Sequence, residues 1–385
     1  MPWALLAAAC LGMFAASSSG TTRAPFLLDM ARDLSTSLTM VANLMAATSI
    51  AWGISSVFAG AASDRWGRRP FLVGGPLGLA AGLVSLSLAD TYLGVALSAT
   101  AAGACAGAFT GVIMTEASAR TVDRQRGRAL GWVMSGQSLA LLVGVPLAAW
   151  IGSSIGWRGV NQAVAAVAVL AALGLFVTTM RPTDGPASAT RAKQAGMRGA
   201  MTGPVLRLLS MGVAERVCYG LTVVYFATFL QTTYGLTPAG VAIPLGIMAI
   251  GNILGTILGG QAADRLPDRS RTFAVAMVAS GGAAVVLFGW TPSLAGTVAL
   301  GFVYATCSAM SRPSLMASLA NVPEEVRGTV LGLNVTAASL GWLGAASLGG
   351  WLMAEIGFAA FGPFALAVAL LAAVLALTGR NLRGV

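Results

Sequence analysis

Apolar runs recur along the whole chain, each about as long as a helix that crosses a bilayer. They fall at 3–22, 37–60, 71–89, 91–115, 129–151, 160–180, 205–231, 238–261, 271–289, 294–311, 329–354 and 359–379. At 1.5 Å of rise per residue, a run of roughly 20 spans the ~30 Å hydrocarbon core. Within each run the apolar character is continuous rather than alternating, which predicts helices and not the strands of a barrel. Only 9% of the 385 residues are charged, against about 25% in soluble domains, and mean hydropathy is +0.80. A soluble core has no room for so much apolar surface. The expected fold is an all-α polytopic membrane protein with twelve transmembrane helices.

A charged hairpin appears twice. Gly60-Ala61-Ala62-Ser63-Asp64-Arg65-Trp66-Gly67-Arg68-Arg69 is echoed by Gly260-Gln261-Ala262-Ala263-Asp264-Arg265-Leu266-Pro267-Asp268-Arg269. Further on, Arg126-Gly127-Arg128 and Leu130-Gly131 pair with Arg327-Gly328 and Leu331-Gly332, and Ile155-Gly156 with Ile356-Gly357. A repeat of this period marks a duplicated bundle. The halves are expected at 1–180 and 205–385, as two pseudo-symmetric six-helix bundles joined by a basic, Pro- and Gly-rich cytoplasmic linker at 181–204. Six spans per half is even, so the copies are expected to share one orientation.

The net charge of +10 has a topological pattern rather than the form of a nucleic-acid groove. Of 23 Lys and Arg, all but Arg23, Arg32, Arg158 and Arg216 fall in alternate connections or the C-terminal tail. Arg312 counts among the connections here. This positive-inside pattern predicts cytoplasmic termini and contact with anionic lipid. The first 22 residues have no basic leader, and the repeat needs them as a span, so they are expected to be retained. Cys10, Cys105, Cys218 and Cys307 lie in apolar runs without CxxC spacing, and there is no His. No metal or other cofactor is expected, nor enzymatic chemistry. No GxxxxGK[ST] motif is present, so the driving force is expected to be a proton gradient and not ATP. Expected partners are a small-molecule substrate and the lipid bilayer, with no nucleic acid; the chain is expected to act as a monomer.

Glycines recur every four residues at Gly103, Gly107 and Gly111 and again at Gly251, Gly255 and Gly259. Such rows make flat faces on which membrane helices approach closely.

The first hairpin resembles the signature loop of the major facilitator superfamily. In the fifth span Gly136, Gly144-Val145-Pro146 and Trp150, followed by Gly156-Trp157-Arg158, look like the Gly-Pro helix of its twelve-helix efflux branch, the drug/proton antiporters and arabinose-efflux-like permeases. The chain differs from that branch in having no Arg in the fourth span and Ala148-Ala149 after Pro146. The resemblance implies a secondary transporter working by alternating access, with the hairpin clamping the halves when the protein faces outward.

The hairpin's residues, Gly60, Asp64, Arg65, Gly67, Arg68 and Arg69, admit two readings. One is a topology marker. The other is a latch, with Asp64 near the positive end of the eleventh span at Gly328-Thr329. A marker needs Arg but not Asp, which favours the latch. Asp264 and Arg265 are expected to form a weaker copy. Glu116 is expected to partner a gate arginine or Arg120 at i+4.

Glu215 and Arg216 lie well inside the seventh span, where ionisable groups are costly and face a cavity or a partner. Three roles stay open: Glu215 as proton carrier, the pair as orienters of a charged substrate, or a structural contact. Adjacent residues diverge by about 100° around a helix, so the two need not pair. Other candidates for the substrate or proton pathway are Phe14, Ser18, Thr22, Gln137, Tyr219, Tyr225, Asn252, Tyr304 and Asn334. Arg23, Asp29, Arg32 and Asp33 are expected at a solvated or paired outer rim. The expected function is proton-coupled efflux of a drug-like or sugar-like compound. The alternatives are a proton-linked importer of a small metabolite and a non-transporting membrane sensor. With 22 Arg against one Lys, the expected location is a bacterial inner membrane.

Overall fold

A computed structural model describes residues 1–122, 125–180, 201–266, 268–322 and 324–378. The side chains of Ala61, Asp64, Arg126, Gly127, Ala320, Glu324, Glu325, Arg327, Gly328, Thr329 and Leu331 lie outside that description. So do most of the expected linker and the expected contact of Asp64 with Gly328-Thr329.

The α-helices of the described residues run in chain order: α1 (Trp3–Thr21), α2 (Leu27–Asp33), α3 (Leu38–Trp66), α4 (Arg69–Leu88), α5 (Tyr92–Ala119), α6 (Arg126–Leu139), α7 (Val145–Thr178), α8 (Gly203–Tyr234), α9 (Ala242–Arg265), α10 (Arg269–Gly289), α11 (Leu294–Ala320), α12 (Glu324–Glu355) and α13 (Phe361–Thr378). Ten stretches of the described residues are long and apolar enough to cross a membrane. One of them, Arg128–Thr178, holds two passes. Gly156 there has φ +67°, and a Cβ at Gly152 would lie 2.9 Å from Val160. Eight residues of straight helix would put that side chain about 12 Å away, so the chain doubles back. The 32-residue α12 is long enough to cross as well, so the described residues hold about twelve passes.

Local chemistry sets the helix starts. Ser37 accepts from Met40 N–H at 3.2 Å, Thr91 from Gly94, Asp268 from Arg271 and Ser293 from Gly296. Each satisfies a backbone donor that the first helical turn leaves free. Several helices outrun their apolar stretches. α3 continues through Asp64 and Arg65 to Trp66, leaving only Gly67 and Arg68 between it and α4. Gly67 has φ +81°, a conformation that costs other residues about 1–2 kcal/mol. The hairpin is therefore mostly helix end, not loop, because charged side chains at a span's end reach water without unwinding the backbone. α11 runs nine residues past the expected end at 311 and takes Arg312 into its interior, with Pro313 inside the same helix. Proline is tolerated there because neighbouring groups in a membrane bundle satisfy the freed carbonyl.

The chain divides into two compact units, Met1–Ala189 with Gly235–Gly246, and Thr190–Tyr234 with Ile247–Val385. The start of α9 thus goes with the first unit, not with the second half of the sequence. Within the first unit α4 packs on α5 and α7, and α1 on α5, α6 and α7. Within the second, α10 packs on α11 and α13, and α8 on α11, α12 and α13. The neighbour pattern is the same, as duplication requires. The glycine rows serve close approach. A Cβ at Gly103 would lie 2.6 Å from Thr48 O, and one at Gly251 2.8 Å from Phe302 O. The row lies on α5 in the first unit and on α9 in the second.

Candidate transport site

Glu215 sits twelve residues into α8, about 18 Å from its start, and is 1% exposed. Arg312 of α11 reaches it with Nε and Nη2, donating to Oε1 at 3.2 and 2.9 Å. Arg216 does pair with its neighbour, Nε to Oε2 at 3.3 Å. The flexible arginine stem bridges the 100° divergence that made the contact unnecessary on helical geometry alone. Tyr219, one turn on, lies under both cations, with its ring centre 4.7 Å from the Arg312 guanidinium and 5.8 Å from that of Arg216. Trp342 of α12 meets Tyr219 edge-on at 5.8 Å. α12 approaches this closely because position 341 is glycine; a Cβ there would lie 2.8 Å from Val213 O. Asn334, also on α12, stands beside Gly212, one turn before Glu215.

The cluster holds two guanidinium groups and one carboxylate. The carboxylate is screened, while Arg216 and Arg312 are each about a fifth exposed. What it presents outward is positive charge over an aromatic floor, a surface that attracts an anion or the negative end of a dipole. Arg312 and Trp342 are functional candidates that sequence reasoning missed. Counting Arg312 with the connections was wrong, because the helix continues past the apolar run that ends at 311 and takes Arg312 inside. The apolar run from Ser314 to Ala320 was the available signal.

Other expected pathway residues have different settings. Tyr304 donates to Cys218 O at 2.6 Å, and Tyr225 donates to Ala346 O. Both are fully buried, and their hydroxyls are spent on backbone. In the first unit Phe14 and Ser18 pack on Gly144, and Gly136 faces the α1 backbone at Phe14. The fifth-span motif, which includes Pro146, thus seats α1. Gln137 is exposed, and Thr22 donates back to Ser18 O. Asn252 is half-buried, with Nδ2 unpartnered.

At the other end of the first unit, Glu116 accepts from Arg68 Nη1 at 3.2 Å and from Arg120 Nε at 2.5 Å. Arg120 also donates to Thr178 O, tying in α7. Arg69 lies 4.8 Å over the Phe176 ring. Asp264 and Arg265 are exposed. Arg269 donates to Ala317 O at 3.4 Å.

At the end of α1 farther from the N-terminus, Asp29 pairs with Arg32, and Asp33 accepts from Trp157 Nε1 at 2.7 Å. Arg158 donates to Ala89 O and Asp90. Arg23 corrects the expectation of a solvated or paired rim. It is 1% exposed, and neither Nε nor Nη2 has a hydrogen-bond partner. Among the described residues no group of His, Cys, Asp and Glu is placed to hold a metal.

Membrane-spanning helices with ionisable clusters buried between them have the form of a membrane transporter. The sequence profile of the Major Facilitator Superfamily matches residues 9–271 and 208–383, and the chain belongs to that superfamily. It is 28% identical over 302 residues to a chloramphenicol resistance protein of Streptomyces lividans, covering 77% of this chain and 72% of that one. It is 28% identical over 283 residues to the inner membrane transport protein YdhP of Escherichia coli O157:H7, covering 72% and 70%. A solved bacterial homolog of the human lysosomal transporter Spinster, inward-facing and unoccupied, superposes with a TM-score of 0.74 at 18% identity, covering 98% of this chain and 95% of that one.

Proposed function

We propose that this transporter exports a small drug-like or sugar-like compound across a bacterial inner membrane in exchange for protons, with Glu215 as the proton-binding group. The observation that carries this reading is the burial of Glu215 between guanidinium groups from two helices. Protonation removes the charge that ties α8 to α11, so two conformations that differ in this contact differ in proton affinity, which is what coupling requires. The chloramphenicol resistance relative supports efflux of a drug-like compound. On this reading both termini are cytoplasmic, the protein acts as a monomer without a cofactor, and the Gly60–Arg69 hairpin is the cytoplasmic latch.

A second reading, proton-linked import, is favoured by the surplus of guanidinium at the cluster: a proton on Glu215 and an anionic solute on the arginines would load together. The test is a sensitivity screen, chloramphenicol first, in a host lacking its own exporters. Wild-type protection that Glu215→Gln abolishes at equal membrane level supports the proposal. Equal protection by Glu215→Gln removes Glu215 from coupling. A reconstituted protein that moves neither solute nor protons is a sensor.

A further inference from the structure

Arg23 is a buried cation that meets no acid among the described residues of the first unit. Its Nη1 donates to Thr48 Oγ1 at 3.3 Å. Thr48 lies ten residues into α3, about 15 Å from its start, and its hydroxyl donates to Leu44 O. The guanidinium therefore points inward from the end of its span. Among the described acids of this unit, Asp29, Asp33, Asp90 and Glu116 are all engaged elsewhere. Burying a charge without a counter-charge is expensive. Ionisable groups kept at such positions mark substrate paths.

The unpartnered atoms identify the ligand. Nε–H and Nη2–H form one edge of the guanidinium, two parallel donors that fit the two oxygens of a carboxylate. Arg312 uses this same pair of atoms to hold Glu215; Arg23 has both free. A monoanion neutralises a lone guanidinium, whereas a dianion would leave a buried negative charge. We propose that Arg23 binds the carboxylate of an organic monoacid, which makes the transported compound, or one class of it, a monocarboxylate. This rests on the transport reading but not on its direction. Expelling an anion from an interior-negative cell is downhill by about 2.3 kcal/mol per 100 mV, so a carboxylate suits efflux as well as import.

The test is thermal unfolding of the purified full-length protein in neutral, lipid-free detergent at fixed pH and ionic strength. The probes are acetate and benzoate, their amides, and inorganic phosphate. A ligand that binds only the folded state raises Tm with concentration. The expected result is a saturable rise with at least one carboxylate that its amide does not produce. Arg23→Gln should abolish the rise, and Arg23→Lys, which keeps the charge but loses the two-donor edge, should weaken binding about tenfold. Without ligand, Arg23→Gln should unfold no earlier than wild type, because an uncompensated buried charge has been removed.

The proposal is overturned if no carboxylate exceeds its amide, if the rise survives Arg23→Gln, or if phosphate matches the carboxylates. Flux of labelled chloramphenicol in proteoliposomes separates this from failure of the transport reading. A protein that moves chloramphenicol but ignores carboxylates loses only the anion assignment. One that moves nothing yet binds benzoate through Arg23 keeps the site and loses transport.

Discussion

Two carboxylates in this protein are each held by two arginines, and their settings differ chiefly in depth. Glu116 lies three residues from the end of α5, with Arg68 33% exposed beside it. Glu215 lies in the middle of α8, and its side chain is 2% exposed. The Glu116 side chain is itself only 6% exposed, but near a helix end Arg68 can exchange it for water or headgroups, so that pair parts and reforms at less cost. In mid-span the alternative to pairing is a charge in a low-dielectric interior, so the pair opens only if a proton or another ion replaces the lost partner. On the proposed reading the same three groups would serve a latch in one place and a coupling element in the other.

The largest effect should follow from breaking the deep cluster. Glu215→Gln leaves two buried guanidinium groups without a carboxylate and should cost about 3–5 kcal/mol, read as a fall in Tm of the purified protein. Arg312→Met should cost a similar amount. The double variant should recover part of the loss, because one unpaired guanidinium, Arg216, is then left in place of two. Strict additivity would mean that the two residues do not act as a pair. The shallow cluster should respond less. Glu116→Gln should cost about 1–2 kcal/mol, since Arg68, a third exposed, can turn toward water. A loss at Glu116 as large as that at Glu215 would break the argument from depth.

The contrast was only partly legible in the sequence. Glu215 stood out because an acid in an apolar run is rare, and Glu116 because Arg120 follows at i+4. Run length and continuity were enough for the all-helical membrane class. Helix ends were misplaced because hydropathy marks where the bilayer ends, whereas hydrogen bonding decides where the helix ends; α3 and α9 carry their charged residues as helix. Arg312 was lost to the same error. Trp342 and the burial of Arg23 depend on how helices turn about their axes against neighbours, and runs without a polar face carry no record of that rotation.

The hairpin copies supply the finest test. Arg68 donates to Glu116, 48 residues on, and Arg269 donates to the main chain of Ala317, also 48 residues on. Arg269 aligns with Arg69 in the hairpin copies, one residue from Arg68, yet it reaches over the same interval to the neighbouring helix, where it meets no acid among the described residues. Ala317→Glu should supply one. Arg269 and Ala317 are only half-buried, so the gain is expected to be small, roughly 0.3–1 kcal/mol and weaker at high salt. It should vanish when Arg269→Gln is added. A stabilisation that persists without Arg269, or a fall in Tm at low salt, would mean that the two arginines share a reach but not a function. The second hairpin would then be a bare turn, and the latch would belong to the first unit alone.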